Sequence, residues 1–478
     1  MKNLVLCSAL SIFFLNACTP QASFKTLPEG PVKHQYIVAA RSALGVNIRG
    51  FSDAVPAGSE VYFEAGSTIA TPVVANSEGA FLITLPDASP DILQGELHVR
   101  LPNKKTLAQA YTIKNLDQAL KQIAHSPLLN TPPEVSYLTI DSNYAYILSS
   151  EAALVRKIAI APEWTLAESA TATILLNPHL ESWQNPRTLA TNAKYTVTTL
   201  FNPTELSLID WQENKLLDNY KITNTKARSA ERVIALDEAN FLVSFINFDN
   251  AAQKITGAGI VALVGIANNT LKVRDFKILP YKNPYAFKKN KALEIWVSCT
   301  GAFDLESRTL RTTDAGMVKL QVTPGDGSIK IQHQIAFSDF TPAEFDIIGN
   351  NLVIPEYSGN KIVVLKEDAA KITPQDYKTA EYMRAFEFTL AAHWHDDIFM
   401  LADVSGDLIA YSLSEGYFPF PFKYPIVLEN IPDPEIKFGP SQVLMRSQEN
   451  YIPGYNAWVI SNRQQKIIPL DFLELFGP

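Results

Sequence analysis

The densest run of ligand-capable side chains in this 478-residue chain is His393-Trp394-His395-Asp396-Asp397. In an extended strand alternate residues share a face, so His393 and His395 would both reach one ion. Imidazole with carboxylate suits zinc or a similar metal. The same run falls where the surrounding chain repeatedly carries a polar turn, and Asp favours turns because its side chain bonds the local backbone. No metal is therefore assigned, and His393 and His395 stand as the metal candidates. The remaining histidines, His34, His98, His125, His179 and His333, are scattered. No Gly-x-Ser-x-Gly elbow, phosphate-binding Gly-x-x-x-x-Gly-Lys loop or His-Glu-x-x-His helix occurs. Thr323-Pro324-Gly325-Asp326-Gly327-Ser328 is Gly-rich but lies between two strand candidates and reads as a hairpin turn. No catalytic residue is assigned.

Two further features carry chemistry of another kind. Tyr417-Phe418-Pro419-Phe420-Pro421-Phe422-Lys423-Tyr424-Pro425 alternates rings with prolines. Proline lacks the N–H an interior strand needs, so the run reads as an extended crossing whose rings pack on the body. Should the rings face solvent, Phe418, Phe420 and Phe422 become a partner-binding platform, because exposed apolar patches mark contacts. The chain has three cysteines, Cys7, Cys18 and Cys299. Cys299 ends the strand-like run Leu293 to Ser298 and reads as a small buried hydrophobe.

Cys18 is different because of what precedes it. A basic tip, Met1-Lys2-Asn3, leads into an uncharged, largely apolar run from Leu4 to Leu15, and Asn16-Ala17 stand before the cysteine. Tip, short apolar core and small residue are the parts of a secretory leader. The core is about 12 residues against the roughly 20 a membrane span needs. With Leu15, Ala17 and Cys18 in place, the segment resembles a bacterial lipoprotein signal, Asn16 being larger than the family pattern prefers. The resemblance implies cleavage after residue 17, a covalent lipid on Cys18 and no other cofactor. With Thr19 rather than Asp after the cysteine, it also implies an outer-membrane address, on the periplasmic side or at the cell surface. An ordinary secretory leader with a chance cysteine is the plainer alternative.

Composition is that of a folded protein, 47% hydrophobic and 19% charged. The formal net charge is −8. No basic cluster is visible along the sequence, which argues against nucleic acid as a partner. With Cys7 removed and Cys18 acylated, Cys299 has no partner for an internal disulfide.

These residues must be positioned by β structure. Residues 1–17 form the leader and 18–34 a proline-containing tether. Residues 35–113 read as a small all-β unit, with strands near Tyr36–Ala39, Ser59–Phe63, Ala80–Leu85 and Glu96–Leu101. Pro56-x-Gly58-x-x-Val61 and Gly79-x-Phe81-x-Ile83 resemble the small Ig-like or carboxypeptidase-regulatory-like sandwiches of bacterial surface proteins. Residues 114–134 read as a helix and linker. Asn115 would cap the helix, and Leu116, Ala119, Leu120 and Ile123 fall at helical spacing.

From residue 135 to 478 a pattern recurs about every 50 residues: an apolar strand, a polar turn, a strongly apolar strand and an alternating strand. Units start near Val135, Thr188, Val233, Tyr285, Phe345, Trp394 and Val443, and several open at a proline, as at Asn185-Pro186, Asn283-Pro284, Thr341-Pro342 and Gly439-Pro440. In periodicity and strand order this part resembles extracytoplasmic β-propellers of the YVTN/lactonase-like type. The fold expected is thus all-β, a small N-terminal β-sandwich plus a C-terminal β-propeller of seven blades, with six or eight as alternatives and a two-domain sandwich as the competing fold.

The function expected is a membrane-anchored envelope lipoprotein that binds or scaffolds envelope proteins or surface ligands. The alternatives are a lactonase-type hydrolase with a metal in the central opening, and a surface adhesin.

Overall fold

A computed structural model describes, with short interruptions, residues 30–115, 135–379 and 390–412, then 440–445, 457–461 and 466–470. The described residues are all-β and contain no α-helix. Asn115 closes the two-residue strand Lys114–Asn115, which pairs in parallel with Ala40 and Arg41. The backbone there finds its partners in a sheet edge. Residues 116–134 lie outside the described residues.

The N-terminal part carries two sheets. One contains strands Ile37–Ser42, Gly45–Gly50, Phe81–Leu85 and Lys114–Asn115. The other centres on Glu60–Ala65 and Gln94–Arg100, with Thr106–Thr112 outside. Alternation decides their faces: Val61, Phe63, Leu97 and Val99 share one core with Ile37, Val46, Ile48 and Ile83. On the opposite face of the Tyr62↔His98 pair the two rings stack at 4.7 Å, and His98 lies 3.5 Å from both Glu64 and Glu96.

From residue 135 onward the chain builds small antiparallel sheets one after another, numbered here sheet 1 to sheet 7. Their first strands are Tyr137–Ile140, Pro186–Thr191, Ala230–Ala235, Pro284–Lys289, Asp346–Ile348, Leu390–His395 and Pro440–Met445. Second strands are the most apolar, because both faces are covered: Tyr195–Leu200 and Asn240–Phe245 are buried at every position. Outer strands are the least covered: Lys215–Lys221 has no buried position.

Each apolar cluster lies between consecutive sheets. Tyr146 and Leu148 of sheet 1 pack with Leu189 and Ile209 of sheet 2. Leu206 and Leu208 of sheet 2 pack with Phe241 and Val243 of sheet 3. The last sheet packs on the first: Trp458, Ile460 and Ile467 share a cluster with Val135, Leu138 and Ile147. Trp458 Nε1 donates to the Trp164 carbonyl at 3.0 Å, and the two indoles stack at 4.5 Å. This succession is a β-propeller-like all-β fold. It leaves few free sheet edges without needing one large sheet.

Between the second and third strands of sheets 3 and 4 the chain makes side excursions that pair with each other. Phe248–Asp249, Lys254–Ile255, Ala302–Asp304 and Thr309–Arg311 form a small satellite sheet. Thr323 pairs with Ser328, so the Gly-rich segment between them is the expected hairpin turn.

Candidate functional site: a charged cluster where first strands converge

Local chain geometry sets up the site. Pro186, Pro284 and Pro440 are the first residues of their strands, the position where a missing N–H costs no ladder bond. The residue before the first strand turns through the left-handed region in sheets 2, 3 and 4, at Asn185 (φ 44), Ser229 (φ 56) and Asn283 (φ 54). One extra residue then enters the first strand, between Pro186 and Leu189, Ala230 and Val233, and Pro284 and Ala286. A bulge of this kind re-aims a side chain and orphans a backbone N–H.

A hydroxyl on the second strand repairs the orphan. Thr199 Oγ1 accepts the Thr188 N–H at 3.1 Å, and Ser244 Oγ accepts the Arg232 N–H at 3.2 Å. The same hydroxyls donate onward to the next sheet, Thr199 to the Glu231 carbonyl at 3.0 Å and Ser244 to the Pro284 carbonyl at 3.2 Å. Ser150 does likewise to the Pro186 carbonyl at 2.6 Å. The bulges are thereby tied to the joints between sheets.

The bulged segments carry Arg187, Glu231, Arg232 and Tyr285, and two of these, Arg232 and Tyr285, enter one cluster. The Arg232 guanidinium of sheet 3 donates through Nε to the Tyr285 carbonyl of sheet 4 at 2.8 Å. Its Nη2 lies 3.8 Å from Glu344 Oε2, just before the first strand of sheet 5. It also faces two rings, Tyr285 at 5.0 Å and Tyr137 of sheet 1 at 5.4 Å, in cation–π range. Tyr137, Arg232 and Glu344 come from sheets 1, 3 and 5, so the contact lies where non-neighbouring sheets converge.

Lys288 of sheet 4 faces Asp346 of sheet 5 at 3.7 Å. Arg187 of sheet 2 donates through Nε to Glu231 at 3.1 Å. The Arg232 and Glu344 side chains keep 13% and 17% of their surface. Glu344 Oε2 is itself buried, and no hydrogen-bond donor among the described residues reaches it.

The electrostatics favour the protonated form of Tyr137, Tyr285, Arg232 and Lys288. Burial raises the Tyr137 phenol, with Arg232 pulling it down and Glu344 pushing it up. Burial pushes the Tyr285 phenol up to about 12 against the pull of Arg232. For Arg232 and Lys288 burial works against the charge, but Glu344 prevails beside Arg232, and Asp346 with Glu344 beside Lys288, so both cations are held above their ordinary values. The cluster therefore offers fixed phenol O–H donors and paired charges. A general acid–base would need a group titrating near neutrality.

The cluster was missed in the sequence because its members stand about 50 residues apart on separate units. Of the residues singled out there, His393 and His395 lie in the first strand of sheet 6 rather than in a turn. The extra residue of that strand falls between them. Leu390 pairs with Ala402 and His395 with Ile398, which puts the histidine end of the strand away from the end where the other sheets carry their bulges. Cys18, Phe418, Phe420 and Phe422 lie outside the described residues. Cys299 is fully buried in the second strand of sheet 4, and burial pushes its thiol well up, away from the thiolate form.

No protein-family model matches the chain, and no curated protein matches it. Among solved structures, the hydrazine synthase of Kuenenia stuttgartiensis aligns with a TM-score of 0.42 and 11% identity, over 68% of this chain and 94% of that one. U3-55K aligns with a TM-score of 0.43 and 9% identity, over 61% of this chain and 81% of that one.

Proposed function

We propose that this chain is a lipid-anchored envelope protein whose folded body is a binding or scaffold platform. In this reading Cys18 carries the lipid, and the leader-like order Leu15-Asn16-Ala17-Cys18 supports it. Two N-terminal sheets around one core support an Ig-like sandwich as spacer. Seven successive sheets, with sheet 7 packed on sheet 1, support a seven-bladed ring. Its ligands are envelope proteins or surface molecules, not nucleic acid.

The observation that carries the binding reading is the convergence of Tyr137, Arg232, Tyr285, Lys288, Glu344 and Asp346. Each cation faces a carboxylate and each phenol is held protonated, so the site presents directional donors rather than a nucleophile. Concave openings with a few fixed polar groups are where rigid scaffolds take ligands.

The test is purification of the lipidated protein from its own envelope, with partner identification and metal analysis on the same sample. Recovery of a stoichiometric partner supports the platform. Recovery of a stoichiometric metal together with turnover of a lactone or simple ester overturns it in favour of a hydrolase. A Cys18→Ser variant checks the anchor separately: it should leave the membrane fraction, and its retention there after processing would contradict lipidation at Cys18.

A further inference from the structure

The outer edge of the sheets has a chemistry of its own. The outer strands of sheets 2, 3 and 4, Lys215–Lys221, Thr270–Ile278 and Ser328–Phe337, lie side by side. Together they carry six Lys or Arg residues against two carboxylates, in a chain whose net charge is −8. Both carboxylates are turned sideways as staples: Asp218 accepts the Leu271 N–H at 2.9 Å, and Asp275 accepts the Ile329 N–H at 2.9 Å.

The cations point outward instead. Lys221, Lys272, Arg274 and Lys330 are exposed, and Lys277 is half-buried. Of the six, only Lys215 has a carboxylate partner at ion-pair distance among the described residues, the neighbouring Glu213. Arg274 spends one N–H on the Pro324 carbonyl at 3.0 Å. Two large aliphatic side chains stand on the same edge: Ile278, next to Lys277, is 53% exposed, and Leu175, on the outer strand of sheet 1, is 48% exposed.

Unpaired cations interleaved with exposed aliphatics suit a surface that is anionic at its boundary and apolar just beneath. Nucleic acid offers the charge but has no use for Leu175 and Ile278. A phospholipid bilayer offers both.

We propose that the outer edge of sheets 1 to 4 docks on an anionic phospholipid surface. Lys221, Lys272, Arg274, Lys277 and Lys330 meet the headgroups, and Leu175 and Ile278 enter the interface. The docking does not depend on a lipid at Cys18. It would turn a tethered body so that this edge faces the bilayer. The cations were not visible as a cluster in the sequence because three strands from three units contribute them.

The test uses the full chain from residue 18 with Cys18→Ser, so that no anchor contributes. Sedimentation with vesicles of phosphatidylglycerol and phosphatidylcholine is compared with vesicles of phosphatidylcholine alone. Binding is expected only to the anionic vesicles, and it should fade above roughly 0.5 M salt as the Debye length shrinks. Replacing Lys221, Lys272 and Lys330 together by Gln should weaken it about 100-fold, at about fivefold per cation, with an unchanged melting temperature. Equal binding to neutral vesicles, no binding to anionic vesicles at low salt, or an unaffected triple variant would overturn the proposal. So would a duplex oligonucleotide that is bound in preference to the vesicles.

Discussion

Gln442 grips the backbone of Leu138 from 304 residues away. Its Nε2 donates to the Leu138 carbonyl at 2.8 Å while its Oε1 accepts the Leu138 N–H at 3.0 Å, so one side-chain amide stands in for a neighbouring strand. Gln442 is buried, and the joint it makes ties sheet 7 to sheet 1. A polar pair can hold this joint because both backbone groups find a partner there and neither is left dry.

Gln442→Ala should therefore cost about 1–3 kcal/mol, the price of two buried backbone groups losing their partner. Gln442→Glu should cost at least as much, since a carboxylate keeps the acceptor but cannot donate to the Leu138 carbonyl. Urea midpoints of the full chain measure both. A midpoint unchanged in either variant would mean the joint bears no load.

Ser244 and Ser298 separate a working hydroxyl from an idle one. Both are fully buried next to the last residue of a second strand. Ser244 accepts the Arg232 N–H and donates to the Pro284 carbonyl, whereas Ser298 Oγ has no hydrogen-bond partner among the described residues. Ser244→Ala should destabilise by about 1–3 kcal/mol, and Ser298→Ala should be neutral or stabilising. Thermal unfolding of the two variants side by side gives the comparison, and equal losses would contradict it.

Arg232 and Glu344 should behave as a unit. Removing only the guanidinium, as in Arg232→Met, leaves an enclosed carboxylate without its counter-charge and should cost about 3–5 kcal/mol. Adding Glu344→Leu to that variant should recover most of the loss. A double-mutant cycle in denaturant reads the coupling, and simple additivity of the two changes would show that the pair does not interact.

Glu356 supplies a pH-dependent check. Burial raises its carboxyl, and Lys361 offsets this only in part through its charge and its backbone N–H. A carboxyl raised on folding costs stability once it must ionise, so the cost is absent below its unfolded value and complete above its folded value. Glu356→Gln should therefore stabilise the protein at pH 7 and make no difference below about pH 4. Unfolding curves at the two pH values test the sign, and a gain confined to acid would reverse the assignment.

How much of this was legible in the sequence depends on the range of the interaction. Pro186, Pro284 and Pro440 announce strand starts because proline's constraint is local. The second strands read as apolar runs because both of their faces are covered. The converging cluster did not show. Arg232 in Ala230-Glu231-Arg232-Val233 looks like an ordinary half-exposed strand until a bulge turns it and Tyr137, 95 positions earlier, arrives beside it. His98 likewise looked isolated until its register set it on Tyr62. The pairing of Lys114 and Asn115 with Ala40 and Arg41 was not legible, because the partner strand stands far away along the chain.

The central claim is that the converging cluster is where this protein holds its ligand. It is tested most directly by native capture from the envelope, comparing the wild type with a Tyr137→Phe, Tyr285→Phe, Lys288→Met triple variant of matched melting temperature. The account expects a partner or ligand recovered in stoichiometric amount with the wild type and reduced at least tenfold with the variant. Equal recovery from both would contradict it and move the binding site elsewhere on the molecule.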